Sequence, residues 1–233
     1  GNASLQDALF HDGLSDAMLG IGMGETAERI ADRFGISRAE QDAFAARSQR
    51  LVATHRERFA REIVPVEGAE GVIAQDEHPR ADTTVETLAR LKPAFRPEGT
   101  VTAGNASGIN DGAAMVLLAS EEARVRHDLR SRARIVATAA VGCDPALMGL
   151  GPIEAIRAVC GRAGWCLDEV EAIEINEAFA VQTLACRNLL ELDEARLNQR
   201  GGAIALGHPI GASGARVLTT LLHLMEDEDH TRG

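Results

Sequence analysis

No run of apolar residues in this 233-residue chain is long enough to span a bilayer, and no signal-type segment opens it. Cysteine is sparse: the four thiols, Cys143, Cys160, Cys166 and Cys186, show no C-x-x-C spacing and no histidine pair at metal-ligand intervals. That pattern argues against a zinc site or a disulfide framework and for reduced, mostly buried thiols. There is no G-x-G-x-x-G and no Gly-Lys-Ser/Thr, so neither a dinucleotide fingerprint nor a phosphate loop is indicated. Excess positive charge is also lacking. The net charge of −11 argues against a nucleic-acid surface.

What the chain does have is a pair of polar residues on expected turns. In GGAIALGHPIGASG, residues 201–214, Ala203–Leu206 read as a short buried strand and Ala212–Met225 as a helix, which puts His208 between them. Gly207, Gly211 and Gly214 permit a sharp turn, and Pro209 disfavours helix at His208. A histidine in such a turn suits a structural role as readily as a catalytic one. In EAIEINEAFAVQTLAC, residues 171–186, Ala172–Ile175 read as a second strand, with Asn176 at the expected helix cap and Glu177 in the first turn. If both strands belong to one parallel sheet, right-handed crossovers bring Asn176 and His208 to the same carboxyl edge, where open α/β sheets keep their sites.

Elsewhere the pattern predicts a helix over Glu25–Phe34 stopped by Gly35, and a longer helix opened by a Ser37/Glu40 capping box with Phe44, Leu51, Val52 and Phe59 on its apolar face. Residues 1–109 read as a loop-rich cap. From Ala113 the pattern alternates: strands at 113–119 and Arg134–Val141, a helix opened by Ser120, and a helix over residues 151–164 closed by Gly164. Alternation of this kind predicts a layered α/β domain.

GISRAEQDAFAARSQ (35–49), TVTAGNASGINDGAA (100–114), NEAFA (176–180) and GHPIGASGAR (207–216) together resemble the thiolases, the acetyl-CoA C-acyltransferases, in the family's order and along essentially the whole chain. The resemblance implies a thiolase-like layered α/β fold, incomplete here. Residues 1–109 correspond to part of the loop domain, 110–127 to the end of the N-terminal half, and 128–233 to most of the C-terminal half. It implies a cysteine acyl-enzyme that makes or cleaves the carbon–carbon bond of 3-oxoacyl-CoA, with His208 as base and Asn176 holding a water in an oxyanion site. Ser107, Ala103, Gly104 and Ala106 would line the pantetheine wall; Met23, Phe95, Ala178 and Phe179 the acyl pocket; and Arg80 would stack on adenine. For Met23 and Phe95 the alternative is core packing, and for Arg80 a solvated side chain.

The same resemblance implies CoA thioesters as substrates with no permanent cofactor, a cytoplasmic homodimer or homotetramer, and a place in fatty-acid metabolism such as β-oxidation. It implies two catalytic cysteines in contexts that none of the four here matches, so the chain reads as an internal fragment, inactive alone. A non-catalytic CoA-binding protein is the alternative; the ketoacyl-carrier-protein synthases fit the motifs less well. Three features depart from the pattern or bear on specificity. Gly22 stands where several members have His, Arg200 where a small polar residue is usual, and DEHPRADTT (76–84) suits longer or dicarboxylic 3-oxoacyl groups, such as 3-oxoadipyl, as well as acetoacetyl.

Overall fold

The computed structural model describes residues 2–69 and 71–233. Nine α-helical segments are present among them: α1 (Met23–Phe34), α2 (Arg38–Thr54), α3 (Arg56–Phe59), α4 (Val85–Leu88), α5 (Glu121–Arg126), α6 (Gly151–Ala163), α7 (Ala180–Leu189), α8 (Ala203–Leu206) and α9 (Ser213–Asp227). A two-stranded antiparallel hairpin, β1 (Val66–Gly68) with β2 (Gly71–Ile73), joins them.

The helix boundaries follow local chemistry. Gly35, at φ +64°, closes α1 in the left-handed conformation that a glycine adopts without a Cβ clash. The Ser37 side chain accepts from the Glu40 N–H while the Glu40 carboxylate accepts from the Ser37 N–H, so the predicted capping box opens α2. Ser120 caps α5, and Gly164 at φ +70° ends α6.

Packing centres on α7, whose residues Ala180 to Cys186 are all buried. Ala27, Ile30 and Ala31 of α1, Phe44 and Ala45 of α2, and Ile204 of α8 close around Ala180, Val181, Leu184 and Ala185. A second cluster joins Ile153 of α6 to Val170, Ile173, Ile175, Cys186, Leu192 and Leu197. On α2, Phe44 and Val52 are buried as expected; Leu51 is only partly so, and buried Phe59 lies on the separate helix α3.

Four predicted strands are absent. Ala203–Leu206 is a single helical turn, because four alternating Ala, Ile and Leu residues cannot distinguish strand from helix, and Ala and Leu are strong helix formers. Ala172–Ile175 makes only one parallel bridge, Ile173 to Leu197. Residues 113–119 and 134–141 are unpaired, and their apolar side chains face outward, with Met115 93% and Leu117 81% exposed. A strand exists only where a neighbour accepts its backbone hydrogen bonds, and no described residue supplies one for these two segments.

Candidate active site

A short backbone seam assembles the site. Ala180 N–H donates to Asn105 O at 2.9 Å, Ser107 N–H to Ala178 O at 3.0 Å, and His208 N–H to Gly108 O at 3.1 Å. Residues 105–108 therefore lie between the segment leading into α7 and the turn after α8. Gly207, at φ +94°, makes that turn, and a Cβ there would fall 2.3 Å from Asn110 Oδ1. Neither the conformation nor the space admits another residue easily.

Asn176 and His208 meet across this seam. The Asn176 amide nitrogen is 3.3 Å from Nε2 and 3.4 Å from Nδ1 of His208. A donor equidistant from both ring nitrogens lies along neither lone pair. His208 Nδ1 is also 2.6 Å from Ser213 Oγ. Burial, and then the nearby Arg216 guanidinium, hold the His208 pKa below the usual histidine value. Both effects favour the neutral imidazole, the form a general base requires.

Asn176 is not the helix cap expected from the sequence. The cap of α7 is Phe179, and Glu177, instead of decorating a first turn, is fully buried. Its carboxyl accepts from Ser48 Oγ at 2.7 Å, Asn198 Nδ2 at 2.9 Å and Ile204 N–H at 3.2 Å, while Ser48 Oγ accepts from Gly202 N–H at 3.0 Å. Burial pushes this carboxyl's pKa up and the three donors oppose it. The network ties α2, the Asn176 segment and α8 together. It therefore sets where Asn176 and His208 stand.

The remaining sequence candidates fall into two groups. Ser107 Oγ donates to Ala178 O at 3.1 Å, and Ala106 bridges Phe179, so Ser107, Ala178 and Phe179 join the seam. Phe95 packs edge-on against Phe179 with ring centroids 6.0 Å apart, and its ring fills the space over Gly24, next to Met23. Phe95 is 48% exposed and Met23 partly exposed. Ala103 and Gly104 sit on the adjoining turn between Thr102 and Asn105, with no bond to His208 or Asn176. Arg80 is exposed and is anchored only through its N–H, which donates to Gln49 Oε1 at 2.8 Å.

Of the buried partners, Ser48, Asn198 and Ser213 are not singled out by the sequence, and Glu177 reads there only as a first-turn acid. Only Ser213 carried a local signal, as a serine at a helix start after Pro209. Arg200 is 2% exposed and donates to Asp227 Oδ2 at 2.7 Å, fastening the turn before α8 to the end of α9. None of the four thiols bonds to His208: Cys186 is buried, its pKa pushed up to about 11, and Cys143 Sγ faces Met148 O. Among the described residues no three His, Cys, Asp or Glu side chains cluster as metal ligands, and no helix is long and apolar enough to cross a membrane.

Comparison with known proteins matches residues 1–122 to "Thiolase, N-terminal domain" and residues 129–233 to "Thiolase, C-terminal domain". An acetyl-CoA acetyltransferase of Pseudomonas aeruginosa is 52% identical over 240 aligned residues, covering 100% of this chain and 61% of the relative. A beta-ketoadipyl-CoA thiolase of Acinetobacter baylyi is 54% identical, covering 90% of this chain and 55% of its own length. Among solved structures, the Bacillus anthracis acetyl-CoA acetyltransferase superposes with a TM-score of 0.93 at 43% identity, over 98% of this chain and 59% of the other. A human mitochondrial 3-ketoacyl-CoA thiolase in complex with CoA gives a TM-score of 0.91 at 39% identity, over 98% and 58%. The chain has the layered α/β fold of these structures and spans about three fifths of their length.

Proposed function

The chain belongs to the thiolase family, and from that premise we propose that it is part of an acyltransferase that makes or cleaves the carbon–carbon bond of 3-oxoacyl-CoA. The catalytic cysteines would be supplied by residues beyond the 233 described by this sequence. The division into a cap (1–109), the end of one half (110–127) and most of the other (128–233) belongs to the same reading. The single observation that carries it is the half-buried His208 with the Asn176 amide against its ring.

In the thiolysis direction, His208 Nε2 takes the proton of the nucleophilic thiol, and the thiolate attacks C3 of the 3-oxoacyl-CoA. The C2–C3 bond then breaks. Its electron pair leaves as the enolate of acetyl-CoA, which is protonated, and CoA thiolate next takes the acyl group from the enzyme. His208 and a water held by Asn176 would donate to the enolate oxygen. Asn176 Oδ1 is buried and bonded to no described residue, so it is free to accept from such a water. Condensation is the same path reversed.

Ser107, Ala103 and Gly104 would form the pantetheine wall, and Met23, Phe95, Ala178 and Phe179 the acyl pocket, with Arg80 at the nucleotide end. Gly22 bears on specificity: a Cβ there would meet nothing nearer than Leu14 O at 3.8 Å, so the missing side chain leaves room beside Met23. This favours acyl groups longer than acetoacetyl. A cytoplasmic homodimer or homotetramer working in fatty-acid β-oxidation, with no permanent cofactor, completes the reading. Thiolysis rates of the complete protein on acetoacetyl-, 3-oxohexanoyl- and 3-oxoadipyl-CoA test it. Faster turnover of the longer two is expected, a preference for acetoacetyl-CoA would refute the pocket argument, and CoA binding without turnover would establish a non-catalytic protein.

A further inference from the structure

Ser213 lies five residues after His208, in the first turn of α9, and is 4% exposed. Its Oγ is 3.0 Å from Pro209 O, four residues back, the usual partner of a helical serine hydroxyl, and 2.6 Å from His208 Nδ1. Thr183 and Thr219 direct their hydroxyls at the carbonyl four residues back in the same way. A hydroxyl has one proton. If it is spent on Pro209 O, the short contact to the ring must be a hydrogen bond donated by Nδ1–H.

We infer that Ser213 is a positioning residue that fixes His208 in the Nδ1–H tautomer and so presents the Nε2 lone pair to the reacting thiol. The inference rests on the thiolase reading for the identity of the reacting group, but the tautomer itself does not. Three features support it. The His208 backbone is held by Gly108 O at 3.1 Å, so the ring has little freedom other than rotation about its own bonds. The Asn176 amide is equidistant from the two ring nitrogens and selects neither. Ser213, 2.6 Å from Nδ1, is therefore the side chain whose contact distinguishes one ring nitrogen from the other. Without that acceptor, the neutral ring would populate Nε2–H, which places a proton where the base needs a lone pair. The role parallels that of the buried group that orients the histidine of a hydrolytic triad, here filled by an uncharged hydroxyl.

The test is solid-state 15N NMR of the complete, 15N-histidine-labelled protein, with the His208 signals identified by their loss in His208→Asn. Wild-type protein at pH 8 is expected to show a protonated Nδ1 and a bare Nε2, and Ser213→Ala to gain the Nε2–H form. In the same variant kcat should fall on the order of 10- to 100-fold with KM unchanged, less than the whole of the roughly 10²- to 10⁴-fold that a general base contributes, because the base itself is retained. Ser213→Thr, which keeps the hydroxyl, should restore both the tautomer and the rate. A bare Nδ1 in the wild type, with the hydroxyl donating to it, overturns the inference, as does an unchanged tautomer in a folded Ser213→Ala protein. Should Ser213→Ala fail to fold, the wild-type and Ser213→Thr spectra decide, since both must show Nδ1–H. A protein with the expected tautomer and no acyl transfer would refute the thiolase reading alone.

Discussion

Replacing Glu177 separates a scaffold from a surface decoration. Its carboxyl is fully buried and accepts from Ser48, Asn198 and Ile204 at 2.7, 2.9 and 3.2 Å. Glu177→Ala leaves one of the two Asn198 Nδ2 hydrogens and the Ile204 N–H buried without an acceptor, the other Asn198 hydrogen staying on Ile175 O, at about 1–3 kcal/mol each, and opens a cavity besides. The expected loss is about 3–5 kcal/mol, the scale of breaking a buried polar network. Glu177→Gln keeps the volume, but its NH2 must face either Asn198 Nδ2 or Ile204 N, and the resulting donor–donor contact should cost about 1–3 kcal/mol. Urea unfolding with an unchanged slope measures both differences. Because α8 leads directly into the turn that carries His208, either variant that remains folded should lose on the order of 10²-fold in kcat, the scale of a 1 Å misplacement. If both variants unfold within about 0.5 kcal/mol of wild type, the size of an ordinary surface substitution, the scaffold argument is refuted.

Two further outcomes follow from the same packing. Glu174, beside the open cavity of about 290 Å3 that Asn176 also lines, has both oxygens buried without a partner and its pKa pushed by burial up to about 8. A carboxyl with a raised folded-state pKa favours folding below its unfolded value near 4.5 and loses that contribution as pH rises to about 8, up to about 5 kcal/mol; Glu174→Gln should flatten the stability profile across this range, and an unchanged slope would contradict the assignment. Gly201→Ala, at φ +84° with its new Cβ 2.5 Å from Ser48 O, should cost about 2–4 kcal/mol, whereas Gly164→Ala, at φ +70° in open space, should cost only about 1–2 kcal/mol; equal losses in thermal unfolding would rule out the steric component.

The sequence reading succeeded where the determinants are local. Ser37 and Glu40, Gly35, Ser120 and Gly164 act on their own backbone neighbours, so their helices were legible without tertiary information. Strands were not, because Met115 to Leu118 and Ile135 to Val141 carry the right side chains, but pairing depends on an edge elsewhere in the fold. The meeting of Asn176 and His208 was anticipated through two parallel strand ends. In the structure it arises from the 105–108 seam and the Glu177 network instead. Glu177 reads in the sequence as a first-turn acid suited to the helix dipole, since nothing near it announces Ser48, which is 129 positions away. Met23 and Phe95 are not separable from core residues by hydropathy; in the structure Phe95 is 48% exposed and Met23 partly so.

Whether His208 activates a thiol for acyl transfer is decided by intact-protein mass spectrometry of the complete protein after incubation with acetyl-CoA. Wild-type protein should carry a covalent acetyl adduct and His208→Ala none over the same interval. Equal acetylation of the two proteins at one cysteine would rule the base role out.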